Sequence, residues 1–341
     1  MSSNLQTLPL PASTFANKQR LGKYFINSKR TVFNTSILYL IITLAVTFVN
    51  KLLFANSEYK FPYPIFTVFF QLVITFIFIT LWTIIKPFPY FFNVPTRFQW
   101  NFVIAKHVAP LTLSYICVIV YNPLFLRYVE ITTYHFSHSL SIAFSILFST
   151  FMLKVNIPYP VQTAAIIIIF GICTGSMGNL NFSFVSLFYS LAWPFIVALY
   201  GIYLKKALVY LKNNLWCLLQ YNTIMSIAFM IPIVLLSGEL KEILSTVWFW
   251  DEIGFWIQMI ITAMTGFCVN IIMMVFLIQT SPLSLTIISV SKTIIQAFIA
   301  VFIFDNRMTL LNTSGFLIAL AGSCYYAYLK SNEKDLVSVY Q

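Results

Sequence analysis

The chain has 341 residues, of which 60% are hydrophobic, 18% aromatic and only 9% charged. Soluble domains carry about 25% charged residues, so a soluble globule is excluded and an all-α polytopic membrane protein is expected. The net charge of +11 does not point to nucleic acid, because the basic residues sit in short loops and form no patch interleaved with aromatics.

Residues 1–32 are polar and carry Lys18, Arg20, Lys23, Lys29 and Arg30 without an acid. No apolar core precedes a small-residue cleavage site, so a signal peptide is not expected. A cytosolic basic tail is the simpler expectation, and an organelle transit peptide shares the same composition. Ten apolar runs follow, at about 33–54, 63–85, 102–126, 132–153, 160–178, 184–205, 216–237, 254–278, 282–304 and 309–330. Each has the length of a helix that crosses about 30 Å of hydrocarbon. Pro62, Pro64, Pro87, Pro89, Pro158 and Pro160 stand at their borders, and the short connections leave no room for a soluble domain.

An even number of spans puts both termini on one side. Fourteen of the twenty Lys and Arg residues then fall on that side and five on the other, with Lys292 inside a span. The positive-inside rule predicts cytosolic termini. Seven of the nine acids (Glu58, Glu130, Glu239, Glu242, Asp251, Glu252 and Asp305) fall on the far side or its border.

The two halves resemble each other at an offset of about 150 residues. Ser36 and Tyr39 fall on Ser186 and Tyr189, and Gln71 on Tyr221; one residue further, FMLK (151–154) falls on FIFD (302–305) and Gly171 on Gly322. Five spans per copy is odd, so the second copy lies inverted. Such repeats place a site near the midplane between the copies. The predicted organisation is a tail (1–32), two inverted five-helix repeats (33–180 and 181–330) and a second tail (331–341).

Lys292 is the residue that stands out. A lysine at mid-bilayer costs about 2.5–3.5 kcal/mol and normally faces a partner or a wet cavity. No other span has an acid well inside it, so an anionic ligand is the leading expectation. The fourth span is the repeat mate and carries His138 within about a turn of the matching position. His138 is either a satisfied polar residue or a ligand contact. Lys51 anchors the end of span one or meets substrate. Gln220, Tyr221, Asn222 and Thr223 form a polar tetrad in span seven, which serves helix packing or base and sugar recognition. Asn270 fits helix packing first, Ser291 could donate to phosphate, and Ser289 more readily bonds its own helix. Arg127 and Glu130 pair with each other, Gly171 and Gly175 suit close helix contact, and the sequons at Asn34, Asn181 and Asn312 lie at membrane borders. Cys117, Cys173, Cys217, Cys268 and Cys324 sit in apolar runs as packing residues, so neither a disulfide framework nor a metal site is expected. No Gly-x-x-x-x-Gly-Lys loop, His-Glu-x-x-His or His/Asp/Glu constellation appears, so no enzyme and no cofactor are expected.

Asn50-Lys51, FPYPIF (61–66) and ten spans in two halves resemble the drug/metabolite transporter superfamily, in its branch of triose-phosphate translocators and nucleotide-sugar transporters. YNPLFLRYVEITTY (121–134), IYLKKAL (202–208), LLSGEL (235–240) and TSPL (280–283) followed by Lys292 resemble GDP-fucose transporters in particular. The resemblance implies antiport of a GDP-linked sugar such as GDP-fucose against GMP, by alternating access. It implies a phosphate-binding Lys292, with His138 and Ser291 completing its shell and Tyr221 and Asn222 facing the base or sugar. It also implies Golgi or endoplasmic-reticulum residence and leaves room for a homodimer. The alternatives are an organelle-envelope organophosphate/phosphate exchanger and, from another class, a non-transporting membrane scaffold.

Overall fold

Within hydrocarbon the backbone finds hydrogen-bond partners only inside its own segment, so each apolar run becomes a helix. The computed structural model describes residues 29–51, 59, 61–85, 98–128, 131–176, 184–304 and 310–332. Among them are eleven helices and no strand: α1 (Lys29–Lys51), α2 (Pro64–Ile85), α3 (Phe102–Tyr128), α4 (Ile131–Leu153), α5 (Tyr159–Ser176), α6 (Phe184–Tyr210), α7 (Leu215–Leu236), α8 (Glu239–Thr246), α9 (Ile253–Gln279), α10 (Pro282–Phe304) and α11 (Leu310–Asn332). Stretches of α2, α3, α6, α7 and α9 are each apolar and long enough to cross a membrane, and the protein is an integral membrane protein.

Two differences from the expected spans bear on function. Helix α6 runs on to Tyr210, past its expected end near residue 205, and so carries Lys205 and Lys206 inside it. Helix α8 is a short amphipathic element between α7 and α9, with Glu239 and Glu242 in its first turn. The predicted tails and the Asn181 sequon lie mostly or wholly outside the described residues, as do Glu130 and the side chain of Arg127.

Local chemistry fixes the ends. The Asn214 side chain accepts the Cys217 backbone N–H at 3.2 Å and caps α7. Gly238 opens α8 at φ 78°, a conformation that costs glycine little and other residues more.

The face on which α1 begins and α11 ends is the terminal face. Helices α5 and α11 pack most extensively, through glycines: a Cβ on Gly171 would come within 2.5 Å of the Ala319 backbone nitrogen, and one on Gly315 would collide with the Gly171 and Gly175 backbone. Helix α6 lies along α3 and α4, while α9 lies along α1 and α2. Helix α2 meets α7, α3 meets α7, and α4 meets α10. Helix α10 touches α1 and α6 only lightly.

Two cores bind the terminal half: one packs α5 and α11 against α4 and α10 through Val161, Ile168, Leu283, Ile287, Phe316 and Tyr326, and the other is larger. It joins Tyr39 of α1, Val108 and Leu111 of α3, Leu204 and Leu208 of α6, Leu218 of α7, Phe276 and Leu277 of α9 and Leu285 of α10. The opposite half divides into separate clusters. One gathers Phe61, Tyr63, Ile243, Phe249 and Phe255 around α8, and another sets Phe125 against Trp193 between α3 and α6.

Candidate functional site

Lys292 lies ten residues into α10, about 15 Å along the helix at 1.5 Å per residue and so near the middle of the bilayer. Its neighbours Val290, Ser291, Thr293 and Ile294 are buried, whereas Ile288, Ser289, Lys292 and Gln296 keep partial exposure along one stripe. That stripe faces the interior of the molecule. Ile288 packs on the large terminal core, and the Ser289 hydroxyl stands 3.3 Å from Nε2 of His138 on α4. Among the described residues, no ion pair or hydrogen bond holds the Lys292 ammonium. The described acids, Glu239, Glu242, Asp251 and Glu252, all sit in α8 or the segment leading into α9, at the opposite face. A cation without a counter-charge at this depth is therefore set up to meet an anion.

Helix α4 carries a buried polar stripe behind Lys292 that meets both α6 and α10. Ser137, Ser141, Ser145 and Ser149 recur every fourth residue on α4, and all are buried. Ser137 donates to the Ser190 carbonyl at 2.6 Å, and Thr286 donates to the Ser145 hydroxyl at 3.2 Å. The sequence carries this ladder in plain view as SHSLSIAFSILFS (137–149). Hydroxyls that could equally bond their own helix gave no reason to single it out.

A second polar group comes from α3, α6 and α9. The Tyr115 hydroxyl lies near the Asn270 side chain, whose amide donates to the Gly266 carbonyl at 3.1 Å. The Tyr200 ring lies 5.8 Å from that of Tyr115, and its hydroxyl reaches the Met273 sulfur at 3.8 Å. Tyr115 and Tyr200 were not foreseen; tyrosines in a chain with 19 of them carry little signal.

The residues predicted from sequence thus separate. Lys292, Ser289 and His138 come together at α4–α10, and Asn270 joins Tyr115. Ser291 turns away and donates to the Ile287 carbonyl at 2.9 Å. Tyr221 is taken up at the terminal face: its hydroxyl donates to the Gln99 carbonyl at 2.6 Å and accepts the Asn101 N–H at 2.7 Å, with its ring stacked on Trp100. Asn222 accepts the Thr112 hydroxyl at 3.0 Å. These two side chains tie α7 to α3 and to the residues just before it. The Lys51 side chain lies outside the described residues. No cluster of His, Cys, Asp and Glu suited to a metal occurs among the described residues.

Residues 31–327 match the model of the Triose-phosphate Transporter family. A protein of Dictyostelium discoideum named GDP-fucose transporter 1 is 32% identical over 88% of this chain and 81% of its own. GDP-fucose transporter 1 of Mus musculus is 26% identical over 87% of this chain and 82% of its own. The Drosophila melanogaster protein named GDP-fucose transporter, Golgi, is 25% identical over 88% and 90% respectively. One solved crystal structure shares the fold with a TM-score of 0.61 at 10% identity, over 89% of this chain and 98% of the other.

Proposed function

Because the chain belongs to the Triose-phosphate Transporter family, we propose that it is a nucleotide-sugar antiporter, exchanging a GDP-linked sugar such as GDP-fucose for GMP. The names of its relatives support the substrate class. The observation that carries the proposal is Lys292, a mid-helix cation that no described side chain neutralises. A nucleotide phosphate supplies the missing charge.

Lys292 binds the phosphate, and Ser289 of α10 and His138 of α4 donate to its oxygens. Ser291 steadies the turn that carries Lys292. Asn270 and Tyr115 meet the base or sugar, and Tyr221 and Asn222 hold α7 against α3. Lys51, at the far end of α1, attracts the anion at the mouth.

The ten long helices form two inverted halves, α1–α5 and α6, α7, α9, α10 and α11. Helices α2 and α7, α4 and α10, and α5 and α11 pack against their own counterparts, and the α3–α6 contact recurs as α9–α1. The halves rock about the central site to give alternating access. An empty carrier would have to move an unneutralised cation, and that discourages return without cargo. Both termini are cytosolic, as the excess of basic residues on their side favours. The protein resides in the Golgi or endoplasmic reticulum, and it is compatible with a homodimer.

Thermal stabilisation tests the proposal, since a ligand of the folded state raises the melting temperature. Purified protein is heated with GMP, GDP-sugars, UDP-sugars, three-carbon phosphates and phosphate, beside Lys292→Ala. Stabilisation of the wild type alone by GMP and a GDP-sugar is expected. A response only to three-carbon phosphates would replace the proposal with an organophosphate exchanger, and silence from the panel would remove it.

A further inference from the structure

A buried lysine also stands in α6: Lys205, one turn and a half from the end of that helix. It is 6% exposed, and its ammonium donates to the Leu277 carbonyl at 2.7 Å and the Thr280 carbonyl at 2.8 Å. Those carbonyls belong to the last turn of α9 and to its C-cap, Thr280. They are acceptors that a helix end leaves without intrahelical partners, at the negative end of its dipole. The contact therefore satisfies a buried charge and a helix terminus together.

Its position matters more than its strength. Helix α6 packs with α3 and α4, whereas α9 packs with α1 and leads into α10 after two residues. Lys205 thus joins α6 directly to α9, two helices that share the terminal core but pack far less extensively on each other than α6 does on α4 or α9 on α1. Nearby crossings between α6 and the α9–α10 hairpin lie in the same region: a Cβ added at Gly201 would stand 3.9 Å from that of Pro282, and Tyr200 reaches Met273. On the α9 side the junction is braced by Thr35 of α1, which donates to the Gln279 side chain at 2.9 Å. The terminal face could not open between α6 and the α9–α10 hairpin without parting both Lys205 bonds.

We propose that Lys205 is the latch of the terminal face: its ammonium, seated on the α9 carbonyls, holds that face shut, and its release accompanies opening. This rests on the alternating-access reading above. When the face is open, water takes the place of the carbonyls around the ammonium, so the charge is solvated in both states. No step requires a bare cation, in contrast to Lys292.

The test reads access without substrate. In full-length protein with the five native cysteines changed to alanine, Ser145→Cys reports on the terminal side, because Ser145 is buried at the α4–α10 seam. Gln296→Cys reports one turn beyond Lys292, toward the opposite face. Labelling by a charged maleimide in nanodiscs is compared with and without Lys205→Met. The latch predicts that labelling of Ser145→Cys rises roughly tenfold or more, the scale of losing hydrogen bonds to a charged group, while labelling of Gln296→Cys falls. Lys205→Arg keeps donors and charge and should label close to the parent. Unchanged rates, or a rise at both reporters, would overturn the latch, since simple loosening opens both faces. If Lys205→Met does not fold, Lys205→Gln keeps one shorter donor and decides the matter by the same two rates. A wild type that binds GMP but fails this test loses only the latch, whereas absence of nucleotide binding leaves the labelling result intact.

Discussion

Lys205 and Lys292 are the same side chain in similar apolar helices, and the structure treats them oppositely. Lys205 ends on two main-chain carbonyls at 2.7 and 2.8 Å and is 6% exposed. Lys292 sits deeper, keeps partial exposure and has no partner among the described residues. The terminal region spends its cation on cohesion, and the central region keeps its cation available. Burial alone does not tell a structural charge from a functional one; the partner set does. Removing a well-partnered charge harms the fold, whereas removing an unpartnered one relieves it.

That contrast breaks first at Lys292→Met. Exchange in liposomes should fall at least ~100-fold, the scale of one lost charge-assisted contact of about 3 kcal/mol, while the melting temperature of the empty protein holds or rises. A variant that still exchanges GMP, or that melts well below the wild type, would put Lys292 in the structural class. Lys205→Met should do the reverse and lower the melting temperature by a few degrees while retaining stabilisation by GMP.

Next in size is the α5–α11 interface, which carries no charge and serves as the reference for purely steric cohesion. Gly315→Val inserts side-chain atoms where the Gly171 and Gly175 backbones already stand. Overpacking typically costs about 1–3 kcal/mol, and backbone cannot move aside as a side chain does. The folded, monodisperse yield should drop sharply, and normal yield and melting would show that these helices separate readily. His138→Ala should act more gently. It removes the contact to Ser289 and the packing on the Trp193 ring but leaves Lys292, so nucleotide affinity should weaken about tenfold, the scale of a single hydrogen bond, with a loss of a few degrees in melting from the vacated buried space.

Much of this contrast was open to inspection in the sequence. Lys292 stood out because hydrocarbon makes any charge conspicuous, and the apolar runs located the long helices for the same reason. Lys205 did not stand out. Lys-Lys at the end of an apolar run reads as a topology signal, and only the packed structure reveals a lysine folded back onto a neighbouring helix end. Tyr221 and Asn222 show the converse. Their polarity was plain, but polarity does not say which neighbour satisfies it, and here α3 and the residues just before it do. Helix α8 escaped because eight residues hold little more than two turns of periodicity.

The smallest effect concerns the opposite face, where an acid does what Lys205 does at the terminal one. The Glu239 carboxylate accepts the N–H groups of Phe66 at 2.8 Å and Ile65 at 3.3 Å, and so caps the first turn of α2 from α8. Burial raises its pKa above the ordinary glutamate value; the two N–H bonds oppose the rise, and Glu242 adds to it. The folded state therefore holds the proton more tightly than the unfolded chain. The stabilisation linked to that proton is complete below the ordinary glutamate pKa and is lost as pH rises through the raised folded value. The melting temperature of the wild type, relative to Glu239→Gln, should thus decline by a degree or so between about pH 4.3 and neutrality. Glu239→Ala, which removes the acceptor altogether, should melt lower at every pH, by the ~1 kcal/mol of a lost cap. A difference between wild type and Glu239→Gln that stays flat with pH would mean that the carboxylate is hydrated, and the cap would then hold only through its geometry.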